Sequence, residues 1–216
     1  MDFFYPNFNN DFWRVMGLVH FGDAQHFVVP GSKRFNYDAV VDFCRTSGLA
    51  FFDTASKVRR LKDNASDAFL EVLEPTDVGA LLARLPRCRT IVTTGGKASE
   101  QLASLLHSAS LPSVTPGTKA DYTLQGCVAD STFRGPSPVT PGLTGSLPAP
   151  NVILSAAKDP DSSVATLPQN DIPAPGSSVD VTAWGRTIRW WRMPSTSRAY
   201  PLPLSAKAAT YALLWQ

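Results

Sequence analysis

Short runs of β-formers alternate along this chain with stretches of helical periodicity, and that alternation restricts it to a sheet flanked by helices. The runs are GLAFFDT (48–54), RTIVTT (89–94) and TIRWWRM (187–193). Ahead of the first, Asn36 reads as the cap of a helix that carries Ala39, Val40 and Phe43 inward and stops near Gly48. Thr76 reads as the cap of a second helix with Leu81, Leu82 and Leu85, closed by Pro86. Gly95-Gly96 turns the second run into a helix over 97–107, and Ser205 opens a last helix through Leu214. Strands separated by helices pair in parallel through right-handed crossovers, so an α/β fold with a parallel sheet is expected. The stretch PAPGSSVDVTAWGRTIRW reads as a hairpin into the last strand. Parallel strands end on one shared edge, where such sheets handle ligands. Here that edge gathers Asp53-Thr54, Thr94-Gly95 and Pro194-Ser195.

One segment breaks the pattern. Eleven of the chain's 18 prolines lie between Pro112 and Pro175, and the aromatics of 107–171 are only Tyr122 and Phe133. Such a composition buries too little apolar surface to offset its ordering entropy. Residues 1–106 and 172–216 are therefore read as two parts of one domain, and 107–171 as a disordered insertion that packs little onto the sheet. NVILSAAKDP (151–160), with LPQND following at 167–171, resembles peptides that arise when dispersed bacterial repeat DNA is translated in frame. A DNA-binding arm is the weaker reading, because Lys119, Arg134 and Lys158 are its only basic residues. Replacing the segment by a short linker is expected to leave stability unchanged or improved.

Charge and cysteine usage exclude more than they select. A net charge of +2 over 216 residues permits nucleic-acid binding without demanding it. Cys44, Cys88 and Cys127 have no metal-ligand spacing, and their odd number argues against a disulfide framework. His20, His26 and His107 are scattered, which suggests neither a zinc site nor a Ser-His triad. The start MDFFYPN lacks the basic region of a signal peptide, and no apolar run is long enough to span a bilayer. A cytoplasmic, monomeric protein without metal or cofactor is expected.

Two segments at opposite ends of the chain carry the functional signal. DFFYPNFNNDFWRVMGL (2–18) packs Phe3, Phe4, Tyr5, Phe8, Phe12 and Trp13 around Asn7, Asn9 and Asn10, with a helix beginning near Asp11 and Asn10 as its cap. PSTSRAY (194–200) ends the last strand in small hydroxyls flanked by Arg189, Arg192 and Arg198. Small polar residues among arginines suit close approach to a phosphate backbone. Taken singly, each segment has a blander use: a core-facing helix start and a surface turn. Together, an Asn-x-Phe-Trp helix start and a Pro-Ser-x-Ser loop resemble the uracil-DNA glycosylase superfamily, nearest its hypoxanthine-DNA and mismatch-specific uracil/thymine branches. The resemblance continues through GLAFFDTASKVRRLKDNASD (48–67), RTIVTTGGKASEQL (89–102) and GRTIRWWRMPSTSRAYPLPL (185–204).

That resemblance implies a three-layer αβα fold and base excision from damaged or mismatched double-stranded DNA, with the target nucleotide flipped into a pocket. Ser195, Thr196, Ser197 and Arg198, with Arg192, would hold the distorted strand's phosphates. Tyr5 or Phe4 would stack on the extruded base, and Thr94 with the Gly95-Gly96 amides would read its edge. Asn10 is the first catalytic candidate, orienting water or donating to the leaving base, and Asp53 the second, with a structural hydrogen-bonding role as its alternative. The resemblance further implies a central strand and a Gly/Pro-rich loop ahead of the aromatic block, whereas Met1 falls directly before that block. The central strand is therefore expected to be missing, with two neighbours left unpaired, and the chain from Met1 to show little activity. Either the true start lies upstream or the chain is a decayed, non-catalytic copy. A phosphate- or nucleotide-binding α/β module, suggested by TTGGK (93–97), is the remaining alternative.

Overall fold

The computed structural model describes residues 3–60, 70–110, 151–155 and 172–216. The aromatic block leads into α1 (Phe12–Phe21), and α2 follows at Tyr37–Ser47. Asn36 caps α2 as its sequence predicts, accepting from the Ala39 N–H at 3.2 Å, and Gly48 closes it at φ 64°, a left-handed conformation that favours glycine. β1 (Leu49–Asp53) then runs into an antiparallel ribbon, β2 (Ala55–Arg60) and β3 (Leu70–Pro75). Next come α3 (Val78–Arg84), β4 (Thr90–Thr94) and α4 (Gly96–Ser110). The chain finishes with β5 (Asn151–Ser155), β6 (Ser177–Ala183), β7 (Arg186–Met193), α5 (Leu204–Tyr211) and a 3₁₀ turn at Ala212–Trp215.

The main sheet has five strands in the order β1-β5-β4-β7-β6. β1, β5, β4 and β7 are parallel, while β6 pairs antiparallel with β7. The sheet is thus mixed, and the all-parallel expectation is corrected at one edge by the hairpin that the sequence predicts there. Its turn places Trp184 at φ 50° and Gly185 at φ 71°, the two consecutive positive values of a tight hairpin whose twist matches its strands.

The expectation of two strands left without a partner is corrected as well. β5 lies between β1 and β4 and pairs with both in continuous register, Leu49–Asp53 on one side and Thr90–Thr94 on the other. Residues 151–155 are therefore a central strand, and 107–110 continue α4, against the reading of 107–171 as an insertion that packs little. The physical reason is local. A composition averaged over the whole segment hides the run Val152-Ile153-Leu154, whose type is that of a buried parallel strand. The rest of that reading falls on 111–150 and 156–171, which lie outside the described residues.

Period-two alternation splits the core in two. Phe51, Val92, Trp191 and Met193 join the cluster built with α1, α2 and Tyr211 of α5. Ala50, Ile91, Ile188 and Trp190 join the cluster built with Leu81 and Leu82 of α3 and Leu102 and Ala103 of α4. The two tryptophans of β7 thus serve opposite cores, as their adjacent positions predict. Three helix starts shift from expectation: Asp11, Asp77 and Pro203 hold the cap positions in place of Asn10, Thr76 and Ser205.

Candidate functional site

Asp53, Ser155, Thr94 and Met193 stand in register at the carboxyl ends of the four parallel strands, so the sheet edge anticipated from sequence exists. The aromatic block is drawn against it. The Tyr5 hydroxyl bonds the Thr94 hydroxyl at 2.8 Å across 89 residues of sequence. The Tyr5 ring stacks on Phe12 with centroids 4.5 Å apart, and Phe4 stacks on Phe51 at 5.6 Å. Tyr5 holds φ 57°, a conformation that costs a non-glycine residue on the order of 1 kcal/mol.

The helix start meets the strand-end loop directly. Asn10 and Ser197 form an antiparallel bridge, and the Asp11 N–H donates to the Thr196 carbonyl at 2.8 Å. The Asn10 side chain does not occupy the cap position. Its Oδ1 accepts from the Phe12 N–H at 2.8 Å, one residue ahead of the cap, and the half-buried carboxamide keeps its NH₂ as a donor.

Ser195, Thr196 and Ser197 are buried, at 8%, 2% and 6% exposure, which corrects the blander reading of this stretch as a surface turn. Ser195 Oγ accepts from the Ser197 N–H and Ser197 Oγ from the Ala199 N–H, so both hydroxyls brace the loop itself. From below, the Tyr211 hydroxyl donates to the Pro194 carbonyl at 2.9 Å, and full burial pushes that phenol well above its ordinary pKa. Of this loop's residues, Arg198 is the one that faces outward with charge.

An ion cluster unforeseen from sequence ties these parts together. The Asp11 carboxylate receives Arg198 Nε at 3.0 Å, Lys207 Nζ at 3.4 Å and Arg14 Nη1 at 3.6 Å. Lys207 is 1% exposed and also donates to the Ser197 carbonyl at 2.8 Å. Arg14 lies over the Phe8 ring at 4.0 Å, and burial together with the nearby Arg198 lowers its pKa. One signal for Lys207 is legible: it is the sole charged residue between Leu202 and Gln216, on an otherwise apolar and small-residue helix.

The remaining candidates are placed differently. Gly95 donates its N–H to the Met193 carbonyl at 3.0 Å, so that amide is not available to a base edge, contrary to expectation. Arg192, near the end of β7, donates to the Pro173 carbonyl, and Arg189 pairs across the β6–β7 hairpin with Asp180. Asp53 lies two strands from Thr94, about 10 Å at the usual strand spacing. It is exposed as a residue, yet desolvation of its carboxyl raises the pKa above the ordinary value, and its carbonyl accepts from the Thr76 hydroxyl at 2.5 Å. Among the described residues no cluster of His, Cys, Asp or Glu has the makings of a metal site, and no helix is long and apolar enough to cross a membrane. Comparison with known protein families, with curated proteins and with solved structures finds no match.

Proposed function

We propose that this chain is a DNA glycosylase of base excision repair, acting on uracil or another deaminated base in double-stranded DNA. The observation that supports it is the convergence of Tyr5, Asn10, Thr94 and Ser195–Arg198, three distant segments, on one sheet edge. The left-handed Tyr5 adds to it, since strain of this kind persists where the surroundings hold a residue for a purpose. Hydrolysis of an N-glycosidic bond builds positive charge on the sugar and negative charge on the departing base. With Oδ1 engaged by Phe12, Asn10 presents donors, and a donor aimed at the base stabilises that developing charge. Arg198 stands at the loop tip for the strand's phosphates, and Lys207 beneath it fixes the loop's position.

One observation favours a second reading, duplex binding without base release. Tyr5 and Thr94 hydrogen-bond each other, and the Gly95 amide is engaged by Met193, so groups assigned to base recognition are paired among themselves.

A single assay separates the two. The low activity expected of the chain rested on a missing central strand, and β5 pairs on both sides in the sheet. Duplexes containing uracil or hypoxanthine, incubated with the chain and no added metal, are therefore expected to release the free base. Asn10→Ala is expected to cut that rate by about 100- to 1000-fold, the usual effect of losing one donor to a developing charge, with duplex affinity retained. Duplex binding with no base release supports the second reading. A loss of only a few-fold in Asn10→Ala returns Asn10 to a structural role.

A further inference from the structure

Three arginines fall within six residues where α3 gives way to β4: Arg84, Arg87 and Arg89. The connection brings them to the amino-terminal edge of the sheet, beside the first half of β7. There the Arg189 N–H donates to the Arg89 carbonyl at 2.9 Å, and Arg186 Nη1 donates to the Leu85 carbonyl at 3.2 Å. Five arginines thus share one edge. Asp180 is the only carboxylate that pairs with any of them among the described residues. Arg189 already holds it at two points, Nε to Oδ1 at 3.0 Å and Nη2 to Oδ2 at 3.3 Å. Arg84, Arg87 and Arg89 are exposed, and their side chains make no hydrogen bond or ion pair among the described residues. The turn that carries them is fixed. Cys88 is buried, its N–H donates to the Leu85 carbonyl at 3.0 Å, and its Sγ donates to the Thr90 carbonyl at 3.3 Å. Arg186 clamps the same turn from β7, so the backbone of Arg87 and Arg89 is set before anything binds.

We infer that this amino-terminal edge is a docking surface for an acidic segment of a partner protein, whose Asp and Glu side chains take the guanidinium forks that Asp180 leaves open. Like charges held this close repel one another, and an incoming row of carboxylates relieves that repulsion. A planar fork suits the paired oxygens of a carboxylate, as Arg189 and Asp180 already demonstrate on this edge. A nucleic-acid strand also carries the complementary charge. The proposed function, however, sets a duplex at the opposite edge, roughly 13 Å away along β4 from Thr90 to Thr94. A stiff duplex does not lie against both edges of one sheet without bending sharply around it. A protein segment needs no such bend and leaves the carboxyl edge free. The choice of protein over nucleic acid rests on the proposed function. Binding of carboxylates does not, and its test uses no damaged base.

A fluorescein-labelled peptide of alternating Glu and Gly is titrated at low salt with the chain and with two double variants. One is Arg87→Ser with Arg89→Ser. The other is Lys33→Ser with Arg34→Ser, an exposed basic pair elsewhere whose loss changes the net charge equally. Fluorescence anisotropy is expected to show affinity about five- to tenfold weaker in the first, the effect of two exposed ion pairs, and within about twofold of the parent in the second. No binding of the peptide by the parent chain, or equal losses in both double variants, overturns the docking surface. An undamaged duplex is titrated in parallel, and its affinity is expected to stay within about twofold when Arg87 and Arg89 are replaced. A loss for the duplex as large as that for the peptide assigns the edge to nucleic acid and overturns the protein partner.

Discussion

His20 shows how a single residue sets a dependence that the fold as a whole does not announce. Its ring packs edge-on against Phe43 at 4.8 Å and Trp215 at 4.4 Å, and Nε2 is buried with no hydrogen-bond partner among the described residues. Burial disfavours the charged imidazolium, so the pKa falls below its ordinary 6.5. A group depressed on folding binds its proton more readily when unfolded. Its contribution is therefore intact above the unfolded value and is lost as pH falls from there toward the folded one. Urea midpoints compared between about pH 7.5 and about pH 5 are expected to drop further for the parent chain than for His20→Leu. Parallel drops would show that the imidazole titrates freely. At this scale the sequence was partly legible. Asn10 could be singled out by its place before Phe12-Trp13, whereas Lys207 and Asp11 meet across 196 residues, a separation that no local pattern encodes.

Elements whose own residues dictate them were read from sequence, and those that depend on a remote partner were not. α2 carries its start and stop in Asn36 and Gly48, and β1, β4 and β7 are short β-branched and aromatic runs. The β2–β3 ribbon went unread because Lys57, Arg59, Glu71 and Glu74 make it polar, and its antiparallel ladder, flanked by exposed cross-strand ion pairs, shows no buried apolar face to signal it. The contact between α3 and the β6–β7 turn was equally hidden. A Cβ added at Gly79 would come within 2.6 Å of Trp184 Cδ1 and 2.8 Å of its Nε1. Gly→Ala in an open helix position gains about 1 kcal/mol. At this position the clash reverses the sign, and Gly79→Ala is expected to lose about 1–3 kcal/mol in urea denaturation. Combining it with Trp184→Ala is expected to remove that penalty. An additive double variant would place the turn elsewhere.

The whole molecule is held together by the strand that composition argued against. Asn151–Ser155 carries hydrogen bonds to two neighbours, so it joins β1 to the β4–β7–β6 half of the sheet. A linker replacing 107–171 would remove it and leave two ladders open, each lost buried pairing costing about 1–3 kcal/mol against a total of about 5–15. The edge on which the proposed site stands exists only while that strand is in place, because Asp53 and Thr94 are brought into register through Ser155. Amide hydrogen exchange of the chain, free and with a uracil-containing duplex, reads both claims at once. In the free chain, Val152–Leu154 is expected to exchange as slowly as Ile91–Thr93. On binding, added protection is expected at Asn10–Trp13 and at Thr196–Ala199, with α3 and β6 unchanged. Rapid exchange at 152–154, or protection confined to the α3 and β6 side, would contradict the account.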